Sequence, residues 1–170
     1  MGDPKDRIRE VLRKAYQIEV DGYTFYSMAA EKAEKPAVGE LFEKLARDEV
    51  QHKAFLKTIA GRFEEQGAQA FHLDVKRPDL KAFTDTIFTQ RFREQARGAA
   101  FEAGVLSIGM TLEQNAISYF SGAAEKTTEA EVREFYRFLA DWERQHFEAL
   151  SALYNAIRQD FWAESGFAPF

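Results

Sequence analysis

Two short motifs carry the first chemical signal. Glu49-Val50-Gln51-His52 and Glu143-Arg144-Gln145-His146 share the pattern Glu-x-x-His. On a helix, residues i and i+3 project from one face, so each motif aims a carboxylate and an imidazole in the same direction. Both motifs fall inside apolar stripes of helical period. Two further glutamates do the same: Glu19 lies between Ile18 and Gly22, and Glu113 follows Leu112. Four inward carboxylates without counter-charge would be strongly destabilising. The stripes hold no matching set of lysines or arginines. Two divalent cations would balance the four carboxylates, and a mixed oxygen and nitrogen donor set suits iron or manganese, with zinc also compatible.

The six residues are related by an internal repeat. Shifted by 94 positions, the chain matches itself without a gap. Ile18-Glu19 falls on Leu112-Glu113, Ala29-Ala30-Glu31-Lys32 on Ala123-Ala124-Glu125-Lys126, and Leu45-Ala46 on Leu139-Ala140. Glu49 and His52 fall on Glu143 and His146. Positions 19–56 against 113–150 give 14 identities in 38, where background composition would give about 2 or 3. Two related helical hairpins are the simplest architecture. Glu19 and Glu49 have their midpoint at 34, beside Pro36; Glu113 and Glu143 have theirs at 128, in Thr127-Thr128. Hairpins turning there set each Glu opposite its partner at one height, and the repeat predicts two equivalent metal positions.

The elements that must hold these groups are legible in the hydrophobic pattern. Asp3-Pro4 reads as a helix start. Helical stripes run through Ile8, Leu12, Ala15 and Tyr26; through Val38, Phe42, Leu45, Leu56 and Phe63; through Leu106, Gly109, Ala116 and Phe120; and through Val132, Phe135, Leu139, Leu150 and Ile157. Helices are predicted near 4–33, 36–66, 98–126 and 130–162. The chain then divides into a hairpin over 4–66, a connection over 67–97, a hairpin over 98–162 and an aromatic tail over 163–170, all in one domain. Within the connection, Gly67, Pro78 and the segment His72 to Arg77 read as loop, and Leu80, Phe83, Ile87 and Phe92 fit a short amphipathic helix.

Length and composition narrow the function. At 170 residues the chain is one ordinary domain. Ten glycines and four prolines are few for a turn-rich β fold. Cysteine is absent, which excludes disulfides, thiolate nucleophiles, iron–sulfur clusters and cysteine zinc sites. A net charge of −5 with no basic block disfavours nucleic acid as a partner. The longest apolar stretch, Ala103 to Met110, is far short of a membrane span. No charged-then-apolar leader opens the chain, so a cytoplasmic protein is expected.

The doubled motif resembles the ligand pattern of the ferritin-like di-iron carboxylate proteins, in which two helices each give a Glu and two others each give a Glu-x-x-His. It is most similar to the rubrerythrin-like branch, over about Ile8 to Ile157. The resemblance implies an all-α, ferritin-like four-helix bundle of two repeated hairpins joined by a long connection. It also implies a centre of two iron ions that reacts with hydrogen peroxide or dioxygen in oxidative-stress defence. In that reading Glu19 and Glu113 are terminal ligands, Glu49 and Glu143 bridge, and His52 and His146 each hold one iron. Electrons would come from a separate donor protein, since rubrerythrins proper carry a cysteine-ligated rubredoxin domain. A homodimer is expected. Rubrerythrins also place an extra Glu one turn after the third-helix ligand, where this chain has Ala116. The set of four Glu and two His also resembles the ferroxidase centre of bacterioferritins, which makes iron oxidation and storage the alternative function. Bacterioferritins carry a haem-ligating Met where this chain has Val50, so haem is not implied.

Other residues receive plainer expectations. Tyr23 and Tyr26, one and two turns beyond Glu19, are read as core, with a hydrogen bond to a carboxylate as the alternative. His72 is read as a surface residue. Glu31, Glu40, Glu125 and Glu134 fall off the central stripes and are read as solvated charges. Glu102, three turns before Glu113 on a similar face, is left without a role. The tail from Phe161-Trp162 to Phe170 is read as cover for a bundle end or a subunit contact.

Overall fold

Four long helices make up nearly all of the computed structural model, which describes residues 4–71 and 100–165. They are α1 (Pro4–Lys32), α2 (Pro36–Gln66), α3 (Ala100–Lys126) and α4 (Ala130–Ser165), with one 3₁₀ turn, Gly67–Phe71; no strand occurs among the described residues. The break between α1 and α2 has a local cause. Lys35 precedes a proline and takes an extended conformation, φ −101° and ψ 117°, because the proline ring disfavours helical geometry one residue before it. Pro36 then opens α2, where its missing N–H costs nothing.

α1 packs along α2, and α3 along α4. The start of α3 lies at the α1–α2 turn, where Glu102 meets the backbone of Glu34 and Lys35. Its end, at Phe120 and Ala124, packs with Ile8 and Leu12 from the start of α1. α3 therefore runs antiparallel to α1 and parallel to α2, and Phe71 and Ala100 stand at opposite ends of the bundle. The chain between Phe71 and Ala100 must therefore span the length of the bundle. The repeat maps α1 onto α3 and α2 onto α4, so the hairpins are related by an approximate two-fold axis across the bundle.

The buried face of α1 follows a strict alternation of four- and three-residue steps: Ile8, Leu12, Ala15, Glu19, then Tyr26 and Ala29. This is the stripe of a left-handed helical bundle. Two apolar clusters result. A lower one contains Ile8, Leu12, Leu56, Phe63, Phe71, Phe120, Phe135 and Trp142. An upper one contains Tyr26, Phe42, Leu45, Leu106, Leu150 and Leu153. The six candidate ligands occupy the stripe positions between them.

Three differences from the sequence reading have physical reasons. Gly67–Phe71 is not open loop. Gly67 stops α2 at φ 62° and donates its N–H to the Phe63 carbonyl, a conformation glycine adopts without strain. The chain then folds back so that Phe71 is buried 4.6 Å from Phe135 and 5.5 Å from Phe63, ring centre to ring centre. α4 continues to Ser165, past the expected end near 162; between these positions the sequence holds no proline or glycine to stop a helix. Tyr23 is exposed, because the stripe places Gly22, not Tyr23, inward; its ring carries the Lys53 Nζ at 4.0 Å. The helix expected through Leu80, Phe83, Ile87 and Phe92, the position of His72, and residues 166–170 of the tail lie outside the described residues.

Candidate metal centre

α1 contributes Glu19, α2 Glu49 and His52, α3 Glu113, and α4 Glu143 and His146, and all six are buried. Two groups form. Glu49, Glu113, Glu143 and His146 bring four donor atoms within 4.8 Å of one another; Glu19, Glu49 and His52 bring three within the same span. Glu49 is common to both groups, and Glu143 belongs to one. The two imidazole rings lie 5.3 Å apart and nearly parallel, at 17°.

Both histidines turn Nδ1 toward the carboxylates. His52 Nδ1 is 3.0 Å from Glu19 Oε2 and 3.4 Å from Glu49 Oε2. His146 Nδ1 is 3.3 Å from Glu49 Oε1 and 3.5 Å from Glu113 Oε1. The Tyr26 hydroxyl donates to Glu113 Oε1. Even so, Glu19 Oε1, Glu49 Oε2, Glu143 Oε1 and His146 Nδ1 are buried without a hydrogen-bond partner. Unpartnered buried polar atoms are rare, and four in one layer need an explanation. Among the described residues, no lysine or arginine is ion-paired with these carboxylates. The donor set and its orphaned atoms fit divalent cations.

The electrostatics report the same crowding. Burial drives the Glu19 carboxyl up to about 8, with Glu49 beside it adding to the shift and His52 opposing it. Burial also raises Glu143 well above the usual carboxylate range, assisted by the charges of Glu19, Glu113 and Glu49. Burial would raise Glu113 too, but His146, Glu143 and the Tyr26 hydroxyl outweigh it and hold Glu113 below its ordinary value. Burial would lower His146, but the facing carboxylates of Glu49 and Glu113 win and raise it. Burial, then the Glu113 charge, raises Tyr26 well above an ordinary phenol.

Gly22 lets the Glu49 carboxylate approach α1 closely. A Cβ there would stand 2.7 Å from Glu49 Oε1. The missing side chain also shapes a cavity of about 290 Å³ between α1 and α3, lined by Gly22, Tyr26, Leu112 and Ala116 and reaching Glu49, Glu113 and Glu143. This is at the small end of ligand pockets.

The sequence reading left the role of Glu102 open and missed Asp48 and Trp142. Glu102, buried, accepts hydrogen bonds at 3.0 Å from the backbone N–H groups of Glu34 and Lys35. It serves the open end of α2, which has no side-chain cap of its own. The signal was present: a helix start with Lys35 and Pro36 needs acceptors from elsewhere. Asp48 Oδ2 lies 4.0 Å from His146 Nε2. Trp142 stacks on His52 with ring centres 3.9 Å apart and planes at 6°. Both precede the Glu of a Glu-x-x-His motif, which aims them past the partner motif's imidazole.

Four helices packed around a buried layer of four carboxylates and two imidazoles define a ferritin-like four-helix bundle with a candidate metal centre. The family model for rubrerythrin matches residues 10–154, and the chain belongs to the rubrerythrin family. No curated protein and no solved structure matched the chain.

Proposed function

We propose that this protein is a di-iron oxidoreductase that reduces hydrogen peroxide or dioxygen with electrons from a separate donor protein. The observation that carries the reading is the layer itself, in which buried carboxylates and imidazoles converge with unpartnered oxygen and nitrogen atoms. Glu19, Glu49, His52, Glu113, Glu143 and His146 would hold the two ions. Glu49 would serve both ions, because it alone stands in both groups.

Iron, when bound, supplies the electrons for reduction of the oxidant. The chain supplies the rest. The cavity beside Gly22 and Ala116 admits molecules of the size of peroxide and ends on three of the carboxylates. Tyr26 fixes the Glu113 carboxylate through its hydroxyl and keeps its own proton. Glu19 and Glu143 hold protons in the metal-free layer and release them when cations take their place. The apolar clusters above and below the layer leave that cavity as the approach to it.

A second reading, ferrous oxidation feeding storage, is favoured by Ala116, which leaves the donor set at four carboxylates and two imidazoles. Protein loaded with iron without oxygen and mixed with peroxide or dioxygen separates the two. Two irons per chain with catalytic peroxide turnover is the expected result. Many irons per chain would mean storage. The His146→Ala variant should lose turnover far more than it loses total iron; normal turnover in that variant would refute the reading. A homodimer in the cytoplasm is part of the proposal.

A further inference from the structure

The repeat makes the two halves of the centre equivalent in ligand type, but their surroundings differ. The half around His146 gathers four donor atoms, and the half around His52 gathers three. His146 points Nδ1 inward and Nε2 outward to Asp48 Oδ2, 4.0 Å away, an oxygen that also accepts from Lys44 Nζ at 3.3 Å. Its neighbour Glu113 accepts the Tyr26 hydroxyl. His52 also points Nδ1 inward, but its ring lies flat on Trp142. Among the described residues, no acidic side chain stands within ion-pair reach of His52 Nε2.

These supporting residues occupy the same places in the repeat. Position 48 shifted by 94 is 142, and position 26 shifted by 94 is 120. Asp48 therefore stands where the other half has Trp142, and Tyr26 where it has Phe120. One half has a carboxylate and a hydroxyl at these positions; the other has an indole face against His52 and, at the position equivalent to Tyr26, a phenylalanine. A carboxylate near a ligating imidazole raises its basicity through its charge, and at 4.0 Å Asp48 acts on His146 by charge rather than by a hydrogen bond. An indole face carries no such charge; the Trp142 Nε1 itself has no hydrogen-bond partner.

We propose that the centre is ranked: the half-site of Glu113, Glu143 and His146 takes up a divalent cation first and holds it more tightly. The half-site of Glu19 and His52 loads second and is the exchangeable position. Asp48 is the positioning residue that sets the difference. The proposal rests on the reading that the six residues hold two metals, and it adds an order that the repeat alone does not contain.

Metal-free protein titrated with cobalt(II), followed by visible absorption and by competition with a chelator, tests it. Two steps at least about ten-fold apart in affinity are expected. His146→Ala should remove the tighter step and His52→Ala the weaker one. Asp48→Asn, isosteric at a half-exposed position, should weaken the tighter step about 10- to 100-fold and leave the weaker step in place, and Asp48→Glu should recover part of the loss. Trp142→Phe keeps an apolar ring and should keep the ranking. Two steps of equal affinity, or a tighter step indifferent to Asp48→Asn, overturn the ranking while leaving a two-metal centre standing. Absence of any cobalt uptake overturns the two-metal reading and the ranking together.

Discussion

The two ends of the bundle are built from equivalent stretches of the repeat and closed by opposite means. The lower end is aromatic and apolar: Phe63, Phe71, Phe120, Phe135 and Trp142 pack there with Ile8 and Leu12. The upper end is mostly aliphatic, around Leu45, Leu106, Leu150 and Leu153, and is closed by a carboxylate. The repeat places Glu102 in the position that Ile8 holds below. Ile8 packs against its neighbours, whereas Glu102 supplies acceptors to the α1–α2 turn. The stripe pattern thus dictates which positions point inward but not how an end is sealed. The layer between the ends has neither kind of seal; four of its buried polar atoms, Glu19 Oε1, Glu49 Oε2, Glu143 Oε1 and His146 Nδ1, remain unpartnered. Stability and chemistry are accordingly separated along the bundle axis.

The largest expected effect comes from that middle layer. A cation at about 1,000 times its dissociation constant stabilises the folded chain by about 4 kcal/mol per site, so chelation should lower the melting temperature substantially. The loss should deepen with pH, and the sign follows from the shifts. In the metal-free fold Glu19 keeps its proton to about pH 8, against an ordinary value of 4.5. Its contribution is complete below pH 4.5 and lost as pH rises to about 8. Glu143 and His146, both raised, act in the same sense. Glu113, lowered, acts in the opposite sense and offsets part of it. Metal displaces the protons, so metal-loaded protein escapes the decline. Melting curves with and without chelator at several pH values check this; a gap that stays constant with pH would contradict it.

Next is the lower end. Phe135 is fully buried among Phe71, Phe55 and Tyr136. Phe135→Ala should cost about 3–5 kcal/mol by the same amount with and without metal. Urea unfolding of both forms measures it. A cost confined to the metal-loaded form would mean that the lower cluster and the centre are one unit.

The upper end should respond less. Glu102→Ala strips the Glu34 and Lys35 amides of their acceptor, and should cost about 1–3 kcal/mol. Glu102→Gln keeps an acceptor oxygen and should recover most of that. Equal losses in the two variants would show that the charge, not the hydrogen bonds, holds this end.

How far the sequence carried the structure depends on range. The helix breaks were legible because they are local: Pro36 dictates the geometry of Lys35, and Thr127 to Glu129 separates two strong stripes. The inward face of the six central residues was legible because a stripe of constant step extends through them. Residues whose neighbours come from another helix were not. Asp48 looks like any surface acid in α2 until α4 brings His146 beside it. Trp142 looks like one more core aromatic until α2 sets His52 against it. Tyr23 failed for a different reason: a tyrosine one turn from Glu19 sits near the stripe, and a shift of one residue decides between core and solvent.

The smallest effect on stability should come from Gly22, and it separates fold from site most cleanly. Alanine there adds helix propensity of about 1 kcal/mol relative to glycine. The added Cβ also meets Glu49 Oε1, which would have to move from 2.7 Å. That oxygen ends a flexible side chain, so the fold can yield without moving backbone. The metal-free Gly22→Ala protein should therefore melt within a few degrees of the natural one. Glu49, however, belongs to both donor groups, and displacing it disturbs both at once. Metal uptake should weaken at both steps, while variants such as Asp48→Asn weaken only one. Paired measurement of melting temperature and cobalt affinity makes the comparison. If Gly22→Ala binds metal as well as the natural chain does, the close approach of Glu49 to Gly22 is incidental, and the layer does not depend on the glycine for its geometry.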